Sequence, residues 1–168
     1  MRKTIKWECM AAIIGFAVSV AGASFGDTNF VHELNRRWAQ HDATNLLAFV
    51  ETSAATNPCL ETLTAKGIVY GFVLTWGSAA TNLFEEASSL VQTSANPRYS
   101  ETERTGVRDC TMALRESFVS IAALGGGVLD DHPTTNDVYI AELFELFPDK
   151  PPFANHIELF SSLGTRTK

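Results

Sequence analysis

The chain has 168 residues, 45% of them apolar, and carries 13 Lys and Arg against 19 Asp and Glu, for a net charge of −6 before histidine. An acid excess argues against nucleic acid or anionic lipid as a partner, because both need clustered Lys and Arg. The length suits one ordinary domain that can bury a core without metals or heavy cross-linking.

The first element is a leader. Arg2, Lys3 and Lys6 precede an apolar stretch from about Met10 to Val20, which closes on the small-x-small site Ala21-Gly22-Ala23. A run of about a dozen apolar residues is too short to cross a hydrocarbon core of ~30 Å, so residues 1–23 read as a removable signal peptide and not as a stable membrane anchor. The competing reading is a buried N-terminal helix. Cys9 follows Trp7-Glu8 and lacks the Leu and small residues that precede a lipid-modified cysteine. The expected product is periplasmic or secreted, a single domain over 24–168. Removing the leader takes away three basic residues and one acidic residue, leaving ten against 18, or −8. That surface permits a basic protein partner; alternatively it only keeps the protein soluble.

Helical spacing dominates the remainder. Phe30, Val31, Leu34 and Trp38 predict a short helix from Asn29 to about Trp38, capped by Asp27 or Thr28. A second is expected over Ala43 to Thr52, behind Asp42 or Thr44 and stopped by Asn57-Pro58. From Cys59 to about Trp76 the near-continuous apolar sequence reads as a buried helix, in which Gly67 and Gly71 share one side and let a neighbouring helix approach closely. Gly77-Ser78 ends it, Asn82 to Gln92 forms a short amphipathic piece, and Thr93 to Tyr99, with Asn96-Pro97, is a loop. Ser100 and Glu103 have capping-box spacing and open a long helix that Gly125-Gly126-Gly127 terminates. Val128 to Pro133 connects to a helix capped by Thr135 or Asn136, with Ile140, Leu143, Phe144 and Phe147 on one face. A last helix runs from about Ala154 to Leu163, with Gly164 just past its end. No alternating strand pattern occurs, so the expected fold is an all-α bundle.

Cysteine use agrees with export. Beyond the leader only Cys59 and Cys110 remain, an even count for an oxidising compartment, so one inter-helix disulfide, Cys59–Cys110, is expected. Neither a zinc nor a redox spacing is present.

Chemistry-bearing motifs are sparse. His32, His41, His132 and His156 are scattered and form no i, i+4 ligand pair. Asp130-Asp131-His132 is the densest polar cluster, but it stands before Pro133 at a helix entrance, where such residues form caps and turns. The adjacent pairs Glu85-Glu86 and Asp130-Asp131 point apart, and Gly125-Gly126-Gly127 lacks the Lys-Ser/Thr of a phosphate loop. No catalytic, metal or cofactor-binding residue is nominated. The balance favours a binding protein over an enzyme.

Several stretches, taken in order, carry a family resemblance. A leader is followed by Asn45-Leu46-Leu47-Ala48-Phe49, by Cys59 opening a helix with Gly67-Ile68-Val69-Tyr70-Gly71, by Cys110, by Val128-Leu129-Asp130-Asp131-His132-Pro133, and by a helix ending Leu146-Phe147-Pro148. Over about residues 45 to 149 this order resembles the Rap/Tai family of type VI secretion immunity proteins, which are small, periplasmic and helical. The chain has Phe49-Val50 and Asp149 where that family often carries further cysteines. The resemblance implies a homodimer that binds and occludes a peptidoglycan-degrading amidase toxin, and it carries over no toxin-contacting residue. A rigid scaffold with an anchor patch suffices for such an inhibitor. The alternatives are a periplasmic helical chaperone or stress protein, and a cell-envelope enzyme whose site is assembled only in three dimensions.

Overall fold

The computed structural model describes residues 29–92, 99–124 and 137–165. The expected signal peptide, the expected caps at Asp27-Thr28 and Thr135-Asn136, the expected loop at Asn96-Pro97, the Gly125-Gly126-Gly127 run and the Asp130-Asp131-His132 cluster lie outside the described residues.

Seven helices and no strand occur among the described residues: α1 (Asn29–Trp38), α2 (Ala43–Thr56), α3 (Leu60–Phe72), α4 (Gly77–Gln92), α5 (Glu101–Leu124), α6 (Asp137–Leu146) and α7 (Ala154–Thr165). The expected all-α class is the observed one. Among the described residues no helix is long and apolar enough to cross a membrane.

Local chemistry starts α2 and α5. Asp42 caps α2 by accepting the Asn45 N–H at 3.0 Å, leaving Thr44 inside the helix. At α5 the box closes as its spacing predicts: Ser100 N–H donates to Glu103 Oε2 at 2.8 Å, and Glu103 N–H donates to Ser100 Oγ at 3.2 Å. Four boundaries differ from the sequence reading, one of them at the last helix, where α7 continues through Gly164, expected just past its end, to Thr165. α2 runs on to Thr56, because Ala54 buries in the core, and Asn57 N–H closes it on the Ser53 carbonyl at 2.9 Å. α3 ends at Phe72: Thr75 adopts a left-handed φ of 55°, and Trp76 N–H turns back to the Tyr70 carbonyl at 3.0 Å. Gly77-Ser78 then opens α4, whose Ala80 N–H bonds the Trp76 carbonyl at 3.1 Å.

α3 is the central element, buried on nearly every side and packed on α2, α4 and α7. Gly67 and Gly71 explain the closeness. A Cβ built on Gly67 would stand 2.5 Å from Phe84 Cε1 of α4, and one on Gly71 would stand 2.0 Å from Phe118 Cε1 of α5. The two rings stack on each other at 5.5 Å, so the glycine face of α3 is a seat for an aromatic pair. The larger core cluster gathers Trp38, Leu46, Ile68, Phe72, Phe84, Leu114, Phe118, Leu143 and Ile157. A smaller one joins Leu60 and Leu63 of α3 to Ala87 and Val91 of α4, Val107 of α5, and Phe160 and Leu163 of α7.

The expected Cys59–Cys110 disulfide is not formed; both cysteines are free and half-buried. Each sulfur is occupied locally. Cys59 is the N-cap residue of α3, its Sγ 3.4 Å from Thr62 Oγ1 and 3.9 Å from Asn57 Nδ2. Cys110 packs against the smaller core, where burial pushes its thiol above the ordinary value, with Asp109 adding to the shift. α3 and α5 both pack chiefly on α4. Possession of two cysteines on long helices therefore did not put them within bonding reach.

Candidate functional site

The turn between α1 and α2 is pinned to the end of α6. Gln40 and His41 N–H groups bond the Arg37 and Trp38 carbonyls at 3.2 and 2.9 Å, and His41 takes a left-handed φ of 55°. The fully buried Trp38 donates its indole N–H to the Phe147 carbonyl at 2.5 Å and meets the Phe144 ring edge-on at 5.1 Å. His41 stacks on the other side of the same junction, 4.9 Å from Phe144, with Nε2 3.0 Å from the Pro148 carbonyl. A carbonyl only accepts, so Nε2 carries the proton of that bond.

Beside this junction lies an open groove of about 570 Å³, lined by His41, Asp42, Ala43, Thr44, Asp137, Ile140, Ala141, Phe144 and Glu145. Its α6 residues sit at i, i+3, i+4, i+7 and i+8, one face of a helix, so Ile140 and Phe144 supply an apolar floor continuous with the core. The rim is acidic. Asp42, Asp137 and Glu145 contribute carboxylates, and no Lys or Arg is among the lining residues. Asp42 and Asp137 stand at the N-terminal ends of α2 and α6, where the helix dipole favours negative charge.

The cations of α1 are engaged elsewhere. Glu33 receives Arg36 Nε and Nη2 at 2.7 Å and Arg37 Nε at 2.6 Å, and these hydrogen bonds hold its carboxyl down to about 2. Arg37 also reaches Asn45 and lies over the Phe49 ring at 4.7 Å. Further along α2, Glu51 accepts the Tyr70 hydroxyl at 2.6 Å, and desolvation together with this bond raises the Tyr70 pKa.

An apolar-floored, acid-rimmed groove of this kind takes an extended segment carrying Lys or Arg, whose stem lies on Ile140 and Phe144 while its charge meets the rim. Among the described residues no group of three or more His, Cys, Asp or Glu side chains is placed to hold a metal ion. Of the residues singled out from sequence, Cys59 and Cys110 are not brought together, and Asp130-Asp131-His132 is outside the described residues. His41, Asp42, Asp137 and Glu145 had no functional reading in sequence. Asp42 read as a cap and His41 as an isolated histidine, and nothing in the spacing joins them to α6, some hundred residues on. Gly67 and Gly71 are packing residues, as their spacing suggested.

No known family model, no curated protein and no solved structure matches this chain.

Proposed function

We propose that the chain is a periplasmic immunity protein that binds and inhibits a secreted peptidoglycan amidase toxin. The observation that carries this reading is the order of segments resembling Rap/Tai proteins, from the leader through Cys59 and Gly67–Gly71 to the helix ending in Phe147-Pro148. The acid-rimmed groove supports a binding role and gives it a chemistry. A basic toxin surface would meet Asp42, Asp137 and Glu145, steered by an acidic chain.

Purified protein is mixed with the product of the neighbouring gene and with peptidoglycan. A stoichiometric complex that blocks wall hydrolysis is expected, with association slowing as salt rises. Asp137→Lys/Glu145→Lys should weaken the complex and leave the circular dichroism spectrum unchanged. Hydrolysis of peptidoglycan by this protein alone overturns the proposal, as does the absence of a complex with any neighbouring secreted toxin.

A further inference from the structure

The acid-rimmed groove has a length scale as well as a charge. Asp137 and Glu145 are eight residues apart on α6, so their Cα atoms stand about 12 Å apart along the helix axis, and Ala141 lies midway, four residues from each. All three are exposed in the groove, whereas Ile140 and Phe144 beside them are buried. Ala141 has the smallest side chain on that wall. Among the described residues the ion pairs join Arg36 and Arg37 to Glu33, Arg108 to Asp109, Arg115 to Glu85 and Lys150 to Glu158, and they leave Asp137 and Glu145 out.

We propose that the groove selects its occupant by the spacing of two cations: an extended segment of a partner protein with Lys or Arg at its first and fifth positions and an apolar residue at its third. Alternate side chains of a strand share one face and each residue rises about 3.3 Å, so these three positions face α6 at intervals of about 6.6 Å and span about 13 Å. The two cations then meet Asp137 and Glu145, in either chain direction, and the middle side chain falls on Ala141, where the wall leaves room for it. Volume favours a strand over a helix. A strand about 12 Å long, given the ~4.8 Å and ~10 Å packing distances of sheets, occupies about 580 Å³, against about 570 Å³ for the groove. The same length of helix, about 10–12 Å across, occupies more than about 900 Å³. The proposal rests on the reading of this groove as the docking site of a basic partner and adds which basic segment it accepts.

Amide NMR titration of the intact protein at low ionic strength, up to millimolar peptide, tests it, with circular dichroism confirming that each variant folds. The probes are three end-capped peptides: Lys-Thr-Val-Thr-Lys, its isomer Lys-Lys-Val-Thr-Thr, and Lys-Thr-Gly-Thr-Lys. The first should bind about three- to fivefold more tightly than either of the others, shifting amides of the groove residues on α2 and α6. D137N and E145Q should each abolish the preference over the isomer, because one carboxylate cannot read the distance between two cations. A141L should abolish the advantage of Val over Gly at the middle position. E116Q, which removes a carboxylate of α5 outside the groove, should change none of these ratios. Equal affinity for the two isomers overturns the proposal, as do a preference that survives both D137N and E145Q, shifts confined to residues outside the groove, or no binding at all. A Val advantage that persists in A141L overturns the seat at Ala141. No toxin enters these titrations, so each such failure is read apart from failure of the immunity reading, which its own complex-formation experiment decides.

Discussion

Gly71 is glycine because Phe118 occupies the space a side chain would need. A methyl group there would sit 2.0 Å from one ring carbon and 2.4 Å from the next, distances only a displaced ring or helix can relieve. Gly71→Ala should therefore destabilise the fold by about 1–3 kcal/mol in urea denaturation, despite alanine's better helix propensity. Gly106 is the contrast. It lies within α5 with nothing within 4 Å of its virtual Cβ, so Gly106→Ala should stabilise by about 0.5–1 kcal/mol. Equal effects at the two sites would refute this account of the seat on α3. A second residue-scale prediction concerns His156, buried in the first turn of α7 against Phe153, its Nδ1 3.2 Å from Asn155 Oδ1. Burial holds its imidazole below the ordinary value of 6.5, so the unfolded chain takes up a proton before the folded one does. Stability is then complete above the unfolded value and is lost as pH falls through 6.5 toward the depressed folded value. Thermal midpoints taken between about pH 7 and 5 should fall, and His156→Leu should flatten that slope. A slope unchanged in the variant would assign the acid sensitivity to other groups.

At the scale of elements, the junction of α1 with α6 depends on one indole. Trp38 is fully buried, and its N–H satisfies the Phe147 carbonyl just past the end of α6. Trp38→Phe keeps an aromatic ring but leaves that carbonyl without its donor, at a cost of about 1–3 kcal/mol. Amide exchange in α6 should quicken more than in α3, because the lost bond anchors α6 and not the central helix. Uniform acceleration across the molecule would show that the indole acts only through core volume. The groove belongs to this scale as well. Its floor is one face of α6 and its far wall the start of α2, so loosening α6 should also weaken whatever the groove binds.

For the whole molecule, the two core clusters and the aromatic seat on α3 carry the stability that a covalent staple would otherwise share. With Cys59 and Cys110 unbonded, a reductant should leave the thermal midpoint unchanged, and both residues should titrate as free thiols in the denatured protein. A midpoint that drops on reduction would point to a bridge formed with rearrangement of α3 or α5.

The sequence by itself determined the helical class, the order of the helices and the capping of α2 and α5. Apolar spacing near 3.6 residues and pairs such as Ser100 with Glu103 act over a few residues, where spacing is geometry. Gly67 and Gly71 were legible as a close-packing face for the same reason, though not that Phe84 and Phe118 would fill it. Helix ends were read less well around Trp76 and Gly77, because Thr75 supplied a left-handed residue without being glycine. Only the tertiary structure decided which surfaces meet. His41 and Asp42 reach Asp137 and Glu145 through the Trp38–Phe147 and His41–Pro148 bonds, contacts between residues more than a hundred apart. The same distance defeats inference from cysteine count: parity shows that a bridge is permitted, whereas bonding requires two Cβ atoms to converge, and here the packing of α3 and α5 on α4 leaves both sulfurs with local neighbours.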